Sequence, residues 1–245
     1  MAKVQKIYVE VNGKHVPAKI YHENRRNVRA SFGKNSVILR MPILLTPAQQ
    51  KEQFAWFKGW VQEQFAKHKN LHTRFFGKNY KDGDVLKVGT REYVLKFDFI
   101  DKKTHTANLE NGILHLKLSK HDSPVHLQKA IKHLLSRVIA NDYKPEITRR
   151  VNELNNLFFK MPVKGLKFKY NQSNWGSCSS QGNLNLSTRL LFAPDAVVDY
   201  VIIHELAHLI EMNHSNRFWK LVSDAMPDYE EKEKWLKENG HLCQF

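Results

Sequence analysis

The chain has 245 residues, of which 42% are apolar and 11% aromatic, a composition typical of a globular protein with a sizeable core. It carries no apolar signal segment and no stretch near the roughly 18 apolar residues of a membrane span, and two cysteines are too few for a disulfide framework. We therefore expect a cytoplasmic protein without membrane association, built as one large domain or two modest ones.

The net charge of +15 is concentrated near the start of the chain. Residues 1–40 hold nine cationic side chains against two glutamates. These are Lys3, Lys6, Lys14, Lys19, Arg25, Arg26, Arg29, Lys34 and Arg40. A basic surface suits a polyanion, because neutralising phosphates releases counterions. DNA is therefore a candidate partner of the N-terminal region. The sequence has no helix-turn-helix, zinc-finger or RNA-recognition signature, and a general solubilising charge is the alternative.

The first third of the chain predicts two hairpins and a helix. Apolar and polar residues alternate over 7–21 around Asn12-Gly13, and again over 28–41 around Gly33-Lys34-Asn35, which indicates antiparallel strands. An amphipathic helix is predicted from Pro47 to about Lys69. Five of its apolar residues recur at helical spacing and are predicted as core rather than as a base-stacking platform: Phe54, Phe57, Trp60, Val61 and Phe65.

Further strands and a long helix follow. The predicted strands are 85–88, 92–100, 106–109 and 113–118, with turns at Asp82-Gly83 and Asn111-Gly112. A helix is predicted from Pro124 to about Leu157, bent at Pro145, and the strands 163–170 and 183–187 are predicted neighbours. The fold class is α+β, with an antiparallel β-rich, basic N-terminal region at 1–120 and a second domain at 121–245.

The motif His204-Glu205-Leu206-Ala207-His208 lies in an apolar stretch that predicts a helix. Residues four apart share a helix face, so the two imidazoles can bind one metal ion, and a catalytic zinc typically takes three protein ligands. His214 is the candidate third ligand, which requires the helix to end first. We expect a left-handed break at Asn213 and a helix cap at Ser215.

Glu205 follows directly after the first candidate ligand. Zinc lowers the pKa of a bound water, and a neighbouring carboxylate can take its proton, so Glu205 is the candidate general base. The alternative is a buried helix whose histidines are hydrogen-bonded core residues.

The C-terminal half resembles a known family. The residues concerned are Trp175-Gly176-Ser177-Cys178-Ser179, 182–186, Pro194, 199–208, Asn213-His214-Ser215 and Phe218-Trp219; Arg25-Arg26 and 80–97 extend the likeness over most of the chain. Together they resemble the YgjP-like zinc metallopeptidases, which are similar in their active-site segment to the SprT-like and Wss-type proteases that digest proteins crosslinked to DNA. The resemblance implies a zincin-like C-terminal domain, with one zinc ion on His204, His208 and His214 and with Glu205 as base.

Two features bear on whether the chain belongs to the metzincin class of zinc peptidases. Metzincins have a glycine where this chain has Glu211, which argues against that class. Met226-Pro227-Asp228-Tyr229 is similar to a Met-turn, but we interpret it as a helix end with Met226 in the core, and Tyr229 is not assigned a catalytic role.

The substrate site is predicted from the strand before the metal helix. In zincins such a strand commonly forms the rim to which an extended peptide adds, and 183–187 is the candidate. Asn183, Asn185 and Trp175 are therefore the candidate substrate-binding residues. Cys178 is interpreted as a small buried residue and not a ligand, and the remaining histidines have no ligand spacing, so a single metal site is expected.

These observations favour a zinc-dependent peptidase with a protein or peptide substrate. The basic N-terminal region makes DNA-associated proteins a candidate substrate class. Two other hypotheses remain: a nucleic-acid-binding protein with a non-catalytic zinc site, and a zinc amidohydrolase of a small substrate. A structural zinc usually has four ligands, often cysteines, so a three-histidine site favours catalysis.

Overall fold

The computed structural model describes residues 4–33 and 36–245. The first three residues of the chain lie outside this description, as do Lys34 and Asn35 in the turn predicted at Gly33-Lys34-Asn35. Within the described ranges, no helix has both the length and the hydropathy needed to cross a bilayer.

The chain divides into two compact units, residues 1–78 and 79–245. This division lies earlier than the boundary near residue 120 that the sequence indicated. The reason is packing: Leu95 and Leu116, from strands before residue 120, belong to the same buried core as Ile131 of the following helix. The strands after residue 79 therefore belong with the C-terminal helices.

The first unit contains a four-stranded sheet followed by helices. Its elements are β1 (Val4–Val11), β2 (Lys14–Glu23), β3 (Arg29–Phe32), β4 (Val37–Pro42), α1 (Pro47–Lys67) and α2 (Lys69–Phe76). Strand order is β1-β2-β4-β3. Both predicted hairpins are antiparallel, and Asn12 and Gly13 turn the first with φ angles of 51° and 73°. The central pair β2–β4 is parallel, contrary to the expectation of antiparallel strands, because β3 carries the chain across before β4 returns.

Helix α1 forms where the sequence predicts it. Thr46 caps its N-terminus in a reciprocal capping box with Gln49, and Pro47 occupies the first turn, where a missing N–H costs nothing. Phe57 and Phe65 are buried in the core of the first unit, together with sheet residues. Val61 is buried in the same core, and Phe54 and Trp60 pack against it, so the predicted core role of these five residues is confirmed.

The second unit starts with a sheet of the same topology. Its strands are β5 (Val85–Val88), β6 (Arg91–Ile100), β7 (Thr106–Glu110) and β8 (Ile113–Ser119), in the order β5-β6-β8-β7 with a parallel central pair. Positive φ angles at Gly83, Asn111 and Gly112 confirm the predicted turns. Helix α3 (Pro124–Leu154), capped by Ser123, then continues through Pro145 and ends in a π-helical turn.

A third, smaller sheet precedes the C-terminal helices. Its strands are β9 (Gly165–Lys169), β10 (Gly176–Cys178) and β11 (Asn183–Ser187), in the order β10-β11-β9. Strand β11 pairs parallel with β9 and antiparallel with β10. The helices are α4 (Asp195–Ala207), α5 (Asn216–Ala225) and α6 (Tyr229–Asn239).

Candidate active site

Helix α4 and the segment after it bring three histidines together. The rings of His204 and His208 are 5.1 Å apart, and the ring of His214 lies 5.1 Å from the first and 4.8 Å from the second. One nitrogen of each ring lies within 4.8 Å of the other two. In the part of the chain that the structure describes, no other group of three His, Cys, Asp or Glu side chains has metal-site spacing.

The helix ends sooner than the sequence indicated. Its last residue is Ala207, and tight turns follow, in which the N–H groups of Leu209 and Ile210 donate to carbonyls three residues back. Asn213 does not adopt the predicted left-handed conformation. Instead its side-chain oxygen accepts from the N–H of Ser215 at 3.1 Å, and this hydrogen bond makes the turn without positive φ.

The predicted cap at Ser215 is confirmed. Its hydroxyl accepts from the N–H of Phe218 at 3.3 Å and begins α5 directly after His214. Phe218 is fully buried, and its ring lies 4.5–4.9 Å from all three imidazoles. The first turn of α5 therefore both positions His214 and forms the packing surface beneath the other two histidines.

The electrostatics of the cluster favour neutral imidazoles. Burial, with His208 and His214 nearby, lowers the pKa of His204 to about 4, and burial also lowers the pKa of His208. His208 Nδ1 donates to the carbonyl of Glu211 at 3.1 Å, which leaves Nε2 as its free donor atom for a ligand bond. The Nε2 atoms of His204 and His214 lie 3.1 Å apart. Ring nitrogens this close can bind one cation together when both rings are in the tautomer that leaves Nε2 unprotonated.

Glu205 lies beside the cluster in an apolar setting. Its side chain is only 5% exposed, and burial raises its pKa to about 8. The backbone of Gly176 packs directly against it, since a Cβ at that position would lie 2.6 Å from a carboxylate oxygen. Glycine in β10 thus creates the space that the carboxyl group occupies.

A cleft of about 550 Å³ opens at the three histidines and Glu205. It lies between the β10 segment, helix α4 and helix α6. The lining residues beyond the histidines and Glu205 are Asn174, Trp175, Gly176, Ser177, Cys178, Tyr200, Val201, Met212, Glu233, Leu236 and Lys237. Of the predicted substrate-binding residues, Trp175 lines the cleft and Asn183 and Asn185 do not.

The prediction that 183–187 forms the rim is wrong. Strand β11 is the central strand of its sheet, so both of its edges are already paired and cannot accept a peptide. Strand β10 is one of the two edge strands of this sheet, and its three residues line the cleft. Which strand borders the cleft depends on the pairing of the strands, and the local alternation of apolar and polar residues does not reveal that pairing.

The structure also shows the surroundings of Cys178 and Tyr229, to which the sequence assigned no ligand or catalytic role. Cys178 is only partly buried, not buried as predicted, because it lines the cleft. Burial and the nearby charge of Glu205 raise its pKa to about 11, so it is a thiol rather than a thiolate ligand. Tyr229 stacks on Trp219 and Tyr200, with ring centroids 5.4 and 6.3 Å away, and does not line the cleft.

Sequence reasoning missed most of the cleft wall. Tyr200 lies one helical turn before His204, and this spacing was a usable signal. Glu233, Leu236 and Lys237 come from α6, far from the motif in sequence, and no pattern linked them to it.

Comparison with known proteins defines the class. The model of the YgjP-like metallopeptidase domain family matches residues 26–239, which is most of the chain. The protein is a metallopeptidase. It belongs to the YgjP-like family, as its resemblance to that family implied. The assignment favours the peptidase hypothesis over a binding module or an amidohydrolase. It also implies a metal, and the three converging imidazoles fit a metal as its ligands.

Two solved structures are similar to part of the chain. The metallopeptidase zymogen abylysin from Pyrococcus abyssi is 22% identical, with a TM-score of 0.34 over 38% of this chain and 93% of its own. The zymogen jannalysin from Methanocaldococcus jannaschii is 20% identical, with a TM-score of 0.34 over 38% of this chain and 94% of its own. No curated protein matches in sequence.

Proposed function

We propose that the protein is a zinc peptidase in which His204, His208 and His214 hold one zinc ion and Glu205 is the general base. The convergence of three imidazoles beside a buried carboxyl group carries this proposal. Neutral imidazole is a preferred zinc ligand, and three protein ligands leave a position for water.

The protein's own residues have distinct tasks in this reaction. Bound zinc supplies Lewis acidity, which lowers the pKa of water and polarises a carbonyl. Glu205 accepts the proton of the attacking water and returns it to the leaving amine. Without the metal, burial raises the pKa of Glu205 to about 8. The positive charge of a zinc ion on the adjacent histidines would lower this pKa again and favour the carboxylate that accepts the proton.

An extended peptide is the substrate that this cleft favours. Edge strands can add a further strand through main-chain hydrogen bonds, and β10 offers such an edge along the cleft. Its Gly176 packs against Glu205, so a peptide bound along β10 passes the general base.

Glu205→Gln tests the mechanism. We expect this variant to bind one zinc per chain while losing hydrolysis by about 100-fold or more, because the amide cannot accept a proton. Zinc analysis and cleavage of an unfolded protein measure the two properties. The matched control is Glu238→Gln, the same change at an exposed α6 residue outside the cleft lining, which leaves both unchanged. Undiminished cleavage by Glu205→Gln would exclude Glu205 as the base.

A DNA-associated substrate is a second candidate, supported by the first unit. Strand alternation puts Lys6, Lys19, Arg29 and Arg40 on the sheet face opposite the buried core residues. Arg40 is paired with Glu23 at 3.2 Å, which reduces the excess charge. The same cleavage assay, with a DNA-binding protein as substrate and with or without single-stranded DNA, tests this candidate. Cleavage that DNA stimulates, by a factor that falls as salt is added, supports it, and cleavage that DNA does not stimulate rejects it.

A further inference from the structure

We propose that the cleft selects a large apolar side chain next to the scissile bond, in a recess formed by Trp175, Tyr200, Val201 and Leu236. This inference rests on the proposed peptidase function and names the substrate class of the same site. We call these four residues the apolar recess.

The apolar recess lies beside the reacting centre. Tyr200 belongs to α4, with its ring centroid 6.0 Å from that of His204. Trp175 directly precedes Gly176, whose backbone contacts Glu205. A peptide bond held at the three histidines therefore places a neighbouring side chain against these walls.

The walls are apolar and mostly removed from water. Tyr200, Val201 and Leu236 are 5%, 3% and 8% exposed. A wall of this kind stabilises an apolar side chain by removing its surface from water, whereas a charged side chain would lose hydration. The recess therefore discriminates between side chains by size and polarity.

Trp175 is held rigidly in place. The guanidinium of Arg189 lies 4.5 Å from its ring centroid on one side, and Gly240 lies so close that a Cβ there would be 2.5 Å from the ring. Arg189 also donates to the carbonyls of Gln172, Gly240 and Cys243 at 3.1, 2.6 and 2.7 Å. The wall is thus formed before substrate binds, which removes an ordering cost from binding.

The charges at the mouth of the recess are balanced. Glu233 and Lys237 both line the cleft, and they pair with each other at 2.8 Å across one turn of α6. The pair leaves no net charge to attract a basic or an acidic side chain. Charge reversal at either residue is therefore a selective probe of the recess.

To test this, the zinc-loaded full chain is incubated with a library of peptides prepared from whole proteomes. Mass spectrometry then identifies the bonds that it cleaves. We expect large apolar residues such as Phe and Leu at one position beside the cleaved bond, favoured about tenfold or more over Ala. Leu236→Phe narrows the recess and shifts this position towards small residues. Cleavage without such a preference overturns the proposal, whereas no cleavage by the wild-type protein overturns the peptidase function itself.

Two charge reversals on α6, at exposed Lys237 and half-buried Glu233, form a matched pair that leaves the apolar core residues unchanged. Lys237→Glu puts two carboxylates at the mouth and should raise the share of Lys and Arg at the same position several-fold. Glu233→Lys should raise the share of Asp and Glu instead. Identical cleavage profiles for both variants would show that side chains do not enter the recess, and would overturn the proposal.

Discussion

Glu205 is the residue at which function and stability oppose each other. Folding moves its carboxyl group from water into contact with Gly176 and raises its pKa from 4.5 to about 8. A carboxyl group with a raised folded-state pKa contributes stability that is fully present below about pH 4.5. That stability is lost as the pH rises through about 8, because the unfolded chain ionises first.

We therefore predict that Glu205→Gln stabilises the metal-free protein at alkaline pH. Each unit of pKa shift corresponds to about 1.4 kcal/mol, so the variant should exceed wild type by a few kcal/mol at pH 9 and by little at pH 5. Urea unfolding in the presence of a chelator measures this difference. Glu238→Gln should show no such pH dependence, and an equal Glu205→Gln effect at both pH values would contradict a raised pKa.

At the residue scale, the sequence predicts what depends on local spacing. Four-residue spacing in a helix predicts that His204 and His208 point the same way, and their rings are 5.1 Å apart. The alternating pattern of its strand predicts Asn183 at the cleft, but β10, and not the strand of Asn183, lies at the edge of the sheet. Leu236 was not found at all, since only tertiary packing brings α6 to the motif.

At the element scale, the N-terminus of α5 determines the position of His214. Ser215 caps this helix, and a lost serine cap costs about 1 kcal/mol. We predict that Ser215→Ala lowers stability by this amount and also weakens zinc binding about tenfold, as expected when a residue that orients a ligand is removed. Unfolding curves and competition with a chromogenic zinc chelator measure the two effects.

Ser123 provides the matched control. It caps α3 in the same way, accepting from the N–H of His126 at 3.4 Å, and it is not part of the cleft lining. Ser123→Ala should therefore lower stability to a similar degree without changing zinc affinity. Equal zinc affinities for the two variants would show that the α5 cap does not position His214.

Elements were predictable where their ends have local causes. Asn12-Gly13 and Asn111-Gly112 specify tight hairpins, and Thr46 with Gln49 specifies the start of α1. How the two hairpins of each sheet pair with each other was not predictable from the sequence. The parallel pairs β2–β4 and β6–β8 join strands of different hairpins, and no local pattern specifies that pairing. The same difference explains why the turn at Asn213 was expected but its hydrogen-bonded form was not.

At the scale of the whole molecule, the two units have separate buried cores. The core of the first unit draws on residues such as Val16, Leu39 and Phe57, and that of the second on residues from 80 onwards. All three histidines belong to the second unit. A ligand stabilises only the structure whose unfolding releases it, so zinc should act on one core and not on the other.

We predict that zinc slows hydrogen exchange in the core of residues 79–245 and leaves the core of residues 1–78 unchanged. At a free zinc concentration 100 times its dissociation constant, the stabilisation is about 2.7 kcal/mol, or about 100-fold in the exchange of globally protected amides. Peptide-resolved exchange with mass spectrometry separates the two cores. His214→Ala, which removes an exposed candidate ligand, should abolish the response. The prediction fails if zinc protects Val16 and Leu39 of the first core as strongly as it protects the core of residues 79–245. That result would mean that the two units unfold together, since only then does the free energy of zinc binding oppose the opening of both cores.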